Sequence, residues 1–209
     1  MNSHKGIFIT FEGPEGAGKT TQMQLLKTYF EEQGRKCVTT REPGGTPLAE
    51  CLRQMVKHHT GDEPVFNETE LLLFAASRAQ HVRYLIKPAL EQGFIVLCDR
   101  FADSTVAYQG FARNQDMDFV KQLNRYVVGD CIPDLTILID LPSEEGFRRA
   151  AARNETDRIE SETLAFHHAV RSGFLKIAEQ EPDRVKIVPS QDAPEKTFQK
   201  ILEIIKNAV

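Results

Sequence analysis

The stretch of sequence that decides the fold contains, in order, Gly13, Pro14, Glu15, Gly16, Ala17, Gly18, Lys19 and Thr20, followed by Thr21. It fits the pattern G-x-x-x-x-G-K-[ST] and comes directly after an apolar run over residues 6–11 that is typical of a buried strand. Glycines let consecutive backbone N–H groups curve around a polyphosphate, and the helix that follows points its positive end at the same anion. The stretch therefore predicts a phosphate-binding loop between a strand and a helix.

Three side chains of this loop have chemistry of their own. Lys19 can reach the terminal phosphates of a nucleotide, and the Thr20 hydroxyl can bind Mg²⁺. Glu15 is unusual, because a carboxylate inside an anion-binding loop repels the ligand unless its side chain turns away from the phosphates. We therefore expect Glu15 to face another part of the site.

The composition limits the class of protein. The 209 residues, 41% of them hydrophobic, suffice for one buried core, and no linker or low-complexity segment divides them. We therefore expect a single domain over residues 1–209. The four cysteines lack C-x-x-C spacing, so neither a zinc site nor a disulfide framework is expected.

Charge and hydropathy exclude two kinds of partner. The net charge of −4 argues against nucleic acid, because a phosphate backbone requires a basic face. No apolar stretch approaches membrane-spanning length, and the residues before the first strand leave no room for a secretory signal. We expect a cytoplasmic protein that binds neither nucleic acid nor a membrane.

Short apolar runs alternate along the chain with longer segments of helical periodicity. This alternation predicts an α/β three-layer sandwich of the P-loop NTPase type, with a five-stranded parallel sheet flanked by helices. The strands are expected at residues 6–11, 36–40, 94–98, 135–139 and 185–188. The helices are expected from the loop to residue 34, at residues 48–57, 67–92, 143–152 and 160–181, and from residue 192 onward.

The ends of two helices carry capping signals. Asn67 and Glu70 have the spacing of a capping box at the start of the helix over 67–92, and Pro88 is expected to kink that helix or break it into a pair. Asp192 with Glu195 is expected to cap the last helix.

Polar clusters follow the carboxyl ends of three predicted strands: residues 40–46, residues 99–109 and the arginines between residues 148 and 158. Ligands bind at this edge of a parallel sheet, so the clusters are expected to converge over the loop. Asp99 and Asp140 each end one of these strands and are therefore well placed to contact a bound ligand.

A phosphate loop alone does not separate kinases from GTPases, motors or DNA-processing ATPases. The N-K-x-D tetrapeptide that is usual in guanine-specific switches is absent from the sequence. Motors and DNA remodellers usually have larger chains or basic surfaces, and this chain has neither. A small-molecule kinase is therefore favoured.

With these clusters in view, the sequence resembles the thymidylate kinase family over essentially its full length. The specific segments are R-E-P-G-G-T at residues 41–46, D-R-F-x-x-S-x-x-A-Y-Q at residues 99–109 and D-R-I-E at residues 157–160. The resemblance implies transfer of the γ-phosphoryl group of ATP to dTMP, giving dTDP and ADP for dTTP biosynthesis. It also implies Mg²⁺ as cofactor and a homodimer packed through helices, which include the helix over 67–92.

The resemblance assigns a dTMP site to Glu15, Arg41, Pro43, Phe74, Arg78, Arg100, Ser104, Thr105, Tyr108 and Gln109. Arg41 and Arg100 are expected to bind the monophosphate, and Tyr108 to lie beneath the deoxyribose. Phe74 and Arg78 are four residues apart and share a helical face, where a ring can stack on a base and a guanidinium can donate to its edge. Thymine O4 accepts such a bond and the cytosine amino group does not, so Arg78 is expected to reject cytosine.

The catalytic group implied by the resemblance is Lys19, Glu15, Arg153, Arg149 and Asp99. The loop has no arginine, and charge that develops on the transferred phosphoryl group needs cations beyond Lys19. The resemblance points to the bacterial pattern, in which a lid at about residues 148–160 supplies Arg149, Arg153 or Arg158, and it does not decide among them. Asp99 is expected to organise the Mg²⁺ shell with Thr20, partly through water, or to orient the attacking oxygen.

Three alternatives remain open. The chain can be a kinase of the same architecture that acts on another nucleoside monophosphate. It can instead be a regulator that binds both nucleotides without transferring phosphate, and a DNA-associated ATPase ranks last on charge. Adenine contacts are expected only from position, near residues 190–193 after the last strand.

Overall fold

The computed structural model describes residues 6–59, 61–151, 157–191 and 193–208. Five parallel strands form one sheet in the order β2-β3-β1-β4-β5. They are β1 (Ile7–Glu12), β2 (Cys37–Arg41), β3 (Ile95–Asp99), β4 (Leu135–Asp140) and β5 (Val185–Pro189). Helices cover both faces, and the predicted α/β fold class is confirmed.

Nine α-helices and two π-helical stretches accompany the sheet within the described ranges. The α-helices are α1 (Lys19–Glu32), α2 (Pro47–Lys57), α3 (Asn67–His81), α4 (Lys87–Glu91), α5 (Ala102–Thr105), α6 (Met117–Val128), α7 (Ser143–Ala151), α8 (Leu164–Gln180) and α9 (Pro194–Ala208). The π-helical stretches are Val82–Ile86 and Val106–Ala112. No helix among the described residues is both long enough and apolar enough to cross a bilayer.

The central strand β1 separates two parts of the core. Its alternating side chains point to opposite faces of the sheet. Ile9 and Phe11 pack with residues of α1 and α9, such as Leu26 and Ile201. Phe8 packs with the other layer, which includes the π-helical stretch Val82–Ile86 and α6. Because apolar layers cover both faces, the strand is a continuous apolar run rather than an alternating one.

Strand register brings the candidate site together. Asp99 at the end of β3 pairs with Phe11 of β1 and with Arg41 of β2. The carboxyl ends of the three strands therefore lie side by side, as expected for residues that follow them in sequence. Asp140 ends β4 at the same edge, but both of its oxygens accept bonds from Arg171 at 2.8 Å. It serves an ion pair with α8 rather than an open ligand position.

The predicted helix over 67–92 is divided, and its predicted capping box is wrong. Phe66 is the N-cap of α3, and no side chain caps it. Glu70 turns into the protein, where it accepts bonds from distant side chains, so that tertiary partners take the place of a cap. The helix changes to π-helical geometry at Val82–Ile86, one turn before Pro88, which lies at the start of α4.

Other helix boundaries also differ from the sequence analysis. Helices α5 and α6 lie between β3 and β4, where none was predicted. The long helix predicted from residue 160 begins as α8 at Leu164, because the Thr163 hydroxyl caps it by accepting from the Phe166 N–H at 3.3 Å. The predicted cap at Asp192 lies outside the described residues.

Candidate functional site

The predicted phosphate loop joins β1 to α1. Gly13, Gly16 and Gly18 have φ angles of 135°, 72° and 89°, a region that favours glycine. A Cβ atom on Gly13 would lie 2.2 Å from the Ile139 carbonyl oxygen, so close packing also requires glycine there. The Lys19 Nζ donates to the Gly13 carbonyl at 3.2 Å and to the Pro14 carbonyl at 2.9 Å. Burial, followed by the charge of Arg100, lowers the pKa of Lys19.

Two hard oxygen donors meet at the end of the loop. The Thr20 hydroxyl donates to an Asp99 carboxylate oxygen at 2.8 Å, and both residues line an open polar cavity of about 270 Å³. No cluster of three or more metal-ligating side chains occurs among residues 6–59, 61–151, 157–191 and 193–208. This donor set fits Mg²⁺, which takes one or two protein oxygens and completes its shell with water and phosphate.

A second, inner cavity adjoins the polar cavity. Nine of the ten residues expected to bind dTMP line it, namely Glu15, Pro43, Phe74, Arg78, Arg100, Ser104, Thr105, Tyr108 and Gln109. Arg41, the tenth, lines the polar cavity instead and forms an exposed ion pair with Glu50 at 3.2 Å. The structure thus brings together residues that are widely separated in the sequence.

Arg78 is buried at the wall of the inner cavity, and all three nitrogens of its guanidinium make hydrogen bonds to the protein. Its Nε donates to Glu42 at 2.7 Å, and its Nη1 donates to Thr105 at 2.8 Å and to Asn124 at 2.9 Å. Its Nη2 donates to the Phe101 carbonyl at 2.9 Å. These bonds use four of the five guanidinium N–H groups, which leaves one N–H on Nη2 for a ligand.

Glu42 connects Arg78 to a further buried group. One Glu42 oxygen accepts from Arg78, and the other lies 2.9 Å from Nδ1 of His81. The Nε2 of His81 lies 2.7 Å from the Thr40 hydroxyl. The peptide bond between Glu42 and Pro43 is cis, a state that the sequence did not specify. A chain of buried polar contacts therefore fixes the guanidinium of Arg78.

Arg100 lies where the two cavities meet. Its φ angle of 68° is in the left-handed region, and its guanidinium donates to the Gly13 carbonyl at 3.0 Å and to Glu15 at 2.6 Å. The same guanidinium lies 5.2 Å from the ring centre of Tyr108. Burial opposes the ionisation of Glu15, but the charges of Arg100 and Lys19 hold the pKa of Glu15 well below its usual value. Glu15 thus faces Arg100, as its odd position in the loop suggested.

Tyr108 presents a buried hydroxyl with no hydrogen-bond partner among the described residues. Its ring packs against Phe166 and Phe174, with ring centres 6.0 Å and 6.2 Å away. Burial raises the pKa of Tyr108, so the phenol stays protonated and can donate. Buried polar atoms are normally paired, so this hydroxyl indicates a position for a ligand atom.

The three arginines of the predicted lid differ in what the structure shows for them. Arg149 Nε donates to Glu145 at 2.6 Å, and its Nη1 lies 3.4 Å from the Gly16 carbonyl of the phosphate loop. Arg158 instead donates to the Val56 carbonyl at 3.1 Å and to Glu70 at 2.6 Å, neither of which belongs to the loop. Arg153 lies outside the described residues.

Sequence reasoning gave no role to several residues of the site. Lys57 and Asp157 line the inner cavity and form an ion pair with each other at 2.6 Å. Glu12 is buried directly before the loop, and Glu42 is buried within the R-E-P-G-G-T segment, which predicted no role for it. A charged residue at the end of an apolar strand was the available signal for Glu12.

Comparisons with known proteins agree with one another. The family model for thymidylate kinase matches residues 11–201 of the chain. A thymidylate kinase of Syntrophotalea carbinolica is 47% identical, with 97% of this chain and 96% of that protein covered. One of Geobacter sulfurreducens is also 47% identical, with 98% of each covered. The crystal structure of thymidylate kinase from Ehrlichia chaffeensis superposes with a TM-score of 0.78 at 36% identity, covering 96% of this chain and 98% of that one.

Proposed function

The chain belongs to the thymidylate kinase family, and from this premise we propose how its two cavities transfer the γ-phosphoryl group of ATP to dTMP. A member of this family is a nucleoside monophosphate kinase, that is, a phosphotransferase that forms dTDP and ADP. The observation that carries the proposal is the position of Arg100 and Glu15, which line both cavities. A donor on the loop and an acceptor in the inner cavity would meet beside these two side chains.

The donor side holds ATP through its phosphates. Backbone N–H groups of the loop and the Lys19 ammonium surround the β- and γ-phosphates, and the bonds of Lys19 to its own loop carbonyls preorganise the ammonium there. Thr20 and Asp99, together with water, would hold Mg²⁺, and the bound ion would supply charge neutralisation on the phosphate oxygens. Lys19, Thr20 and Asp99 would thus align the phosphates of ATP before the transfer.

The acceptor side holds dTMP with its phosphate toward the loop. The Phe74 ring stacks on thymine, and the remaining Nη2 N–H of Arg78 donates to O4. The Tyr108 hydroxyl gains a partner from the sugar or phosphate, and the Arg100 guanidinium binds the phosphate. With cytosine, the Arg78 N–H would face an amino group, and both donors would stay unsatisfied in a buried pocket.

The chemical step is an in-line displacement without an enzyme-bound covalent intermediate. Arg100 and Lys19 hold the acceptor oxygen and the donor phosphorus in line, and their charges offset the charge that spreads over the transferred group. Arg149, which already lies beside Gly16, is the lid arginine nearest to the loop among those the structure describes. We propose that the lid at residues 148–160 closes over both nucleotides, with Arg149, Arg153 or Arg158 supplying the further positive charge.

We propose that two copies of the chain form a homodimer through the face made by α2, α3 and α6. Helix α3 packs against both neighbours. Their outer surfaces carry large exposed apolar side chains, namely Leu48, Met55, Leu72, Phe119 and Tyr126. A second copy would remove this surface from water. Leu72→Arg is expected to give a monomer in sedimentation velocity, and a wild-type protein that already sediments as a monomer would refute the dimer.

Coupled ADP release with a set of acceptors tests the function. The protein is assayed with ATP and Mg²⁺ plus dTMP, dCMP, dGMP or AMP, without an acceptor, and with DNA. ADP release that requires dTMP is the expected result. Equal rates with dCMP would indicate another mononucleotide kinase, and release stimulated by DNA would indicate an ATPase. Tight binding of both nucleotides without ADP release would indicate a regulator.

A further inference from the structure

Glu12 is a buried carboxylate that the proposed reaction does not use. It is the last residue of β1, directly before the phosphate loop, and none of its surface is exposed. One of its oxygens accepts from the Phe101 N–H at 2.7 Å and from the Ser104 N–H at 3.2 Å. The other accepts from the Ser104 hydroxyl at 2.6 Å. All three donors belong to the segment that follows β3, and β3 is the strand paired with β1.

That segment carries Arg100 in an unusual backbone conformation. A φ of 68° is unfavourable for a residue with a side chain, and this conformation persists only where its surroundings hold it. The Arg100 N–H donates to the Phe11 carbonyl at 2.9 Å, and the next N–H along the chain, that of Phe101, donates to Glu12. Two consecutive residues at the end of β1 therefore hold the two peptide N–H groups on either side of the Arg100 Cα.

The Arg100 side chain is tied to the same carboxylate through Ser104. Its Nη1 lies 3.3 Å from the Ser104 oxygen, whose own hydrogen goes to Glu12. The same Nη1 also donates to the Gly13 carbonyl at 3.0 Å, and Nη2 donates to Glu15 at 2.6 Å. A continuous set of hydrogen bonds thus runs from Glu12 through the Arg100 guanidinium to the phosphate loop.

We propose that Glu12 is a positioning residue for the acceptor phosphate, because it holds the turn at 101–104 that keeps the Arg100 guanidinium at the junction of the two cavities. This inference rests on the proposed function, which places the dTMP phosphate against Arg100. Glu12 itself touches no substrate and acts through Arg100. Arg78 also donates to the Phe101 carbonyl of this turn, but its bonds to Glu42 and Asn124 lie outside the turn and should keep it in place. Loss of Glu12 should therefore weaken binding of the phosphate and spare binding of the base and sugar.

A carboxylate is required because three donors converge on it. A carboxylate offers only acceptors, whereas a glutamine amide has one acceptor oxygen and an NH₂ group that donates. In Glu12→Gln the amide oxygen can keep the N–H groups of Phe101 and Ser104 only if the NH₂ group points at the Ser104 oxygen. The Ser104 hydroxyl hydrogen then loses its acceptor, and the Ser104 oxygen must accept from the new NH₂ group as well as from the Arg100 Nη1, so the hold on the Arg100 guanidinium weakens.

The test compares dTMP with thymidine, which has the same base and sugar and no phosphate. Dissociation constants for both are measured by calorimetry at pH 8, above the raised pKa of Glu12, with wild type, Glu12→Gln and Asp134→Asn. Asp134 is the matched control, since its carboxylate accepts from the Phe8 N–H at 2.8 Å on the same strand but belongs to neither cavity. Glu12→Gln is expected to weaken dTMP binding about tenfold, the effect of one lost hydrogen bond to a charged group, and to leave thymidine binding within about twofold. Asp134→Asn is expected to leave the ratio of the two constants unchanged.

The outcomes separate this inference from the proposed function. If the wild type does not bind dTMP more tightly than thymidine, then the phosphate does not reach Arg100, and both proposals are wrong. If the wild type prefers dTMP and Glu12→Gln keeps the full preference, only the role of Glu12 is wrong. Equal weakening of both ligands would show a general structural role and would also overturn the inference. Should Glu12→Gln fail to fold, Ser104→Ala removes the hydroxyl link alone and is expected to shift the ratio in the same direction by about threefold.

Discussion

The phosphate loop and the inner cavity solve two binding problems in different ways. The loop is eight consecutive residues whose backbone conformation depends on three glycines with positive φ. The inner cavity takes residues from position 15 to position 159 and depends on buried charged side chains that hold one another. An anion can be bound by a short segment of backbone, because every residue carries an N–H group. A base edge needs one donor at one place, and that donor must be held by residues from several elements.

The largest effect should follow from breaking the network of the inner cavity. Arg78→Met removes the buried partner of Glu42, which is only 3% exposed. Loss of one partner of a buried ion pair costs about 3–5 kcal/mol, so urea unfolding should show a fall of that size in the free energy of unfolding. Lys176→Met, which breaks an exposed pair with Glu179, should cost less than about 1 kcal/mol. Equal small losses in both variants would contradict the network as described.

A change in the loop should affect rate rather than stability. Lys19→Ala removes the cation that we propose faces the transferred group, and kcat should fall by about 10²- to 10³-fold. The free energy of unfolding should stay within about 1 kcal/mol, because Lys19 bonds only to loop carbonyls in the structure and its burial disfavours its charge. Coupled ADP release and urea unfolding on the same sample provide the check. A near-normal kcat would refute the role of Lys19.

Glu12, where the two regions join, should make stability depend on pH. Burial, followed by the charge of Asp103, raises the pKa of Glu12 from its usual 4.5 to about 7. Between these values the unfolded carboxyl is ionised and the folded one still holds its proton, so stability falls as pH rises through this window. Relative to Glu12→Gln, the wild type should lose about 2–3 kcal/mol between pH 4.5 and pH 8.

The control for the pH effect is the variant itself. Other groups titrate in wild type and Glu12→Gln alike, so the difference between the two unfolding free energies isolates Glu12. It should change most between pH 5 and pH 7. A difference that does not vary with pH would show that Glu12 has an ordinary pKa in the folded protein.

The comparison of the two regions also explains what could be predicted from sequence. The loop and all five strands are local patterns. The nine residues of the inner cavity that are expected to bind dTMP were assigned through the resemblance to a family, whose specific segments are contiguous in the sequence. The contacts that hold those residues are not local: Glu12 and Phe101 are 89 positions apart, and Glu70 and Arg158 are 88 apart. Glu70 shows the difficulty, since its spacing from Asn67 fits a helix cap, yet its partners are Gln109, Arg113 and Arg158.

The smallest predicted effect concerns one methyl group. dUMP lacks the thymine methyl, and one methyl in an apolar pocket is worth about 1–3 kcal/mol. We expect kcat/KM for dUMP to be lower than for dTMP by about 10- to 100-fold, with activity still measurable by coupled ADP release. The proposed hydrogen bond from Arg78 to O4 would be the same for both bases, so Arg78 is not expected to discriminate between them. Complete rejection of dUMP would show a contact to the methyl group tighter than an ordinary apolar wall.

A crystal structure with a bisubstrate analogue, adenosine and thymidine joined through their 5′-phosphates, tests the central claim most directly. The proposed arrangement predicts thymine between Phe74 and Arg78, with O4 on the Nη2 of Arg78. It also predicts a phosphate chain that runs past Arg100 to Lys19. Thymine bound outside the inner cavity, or a phosphate chain that bypasses Arg100, would contradict it.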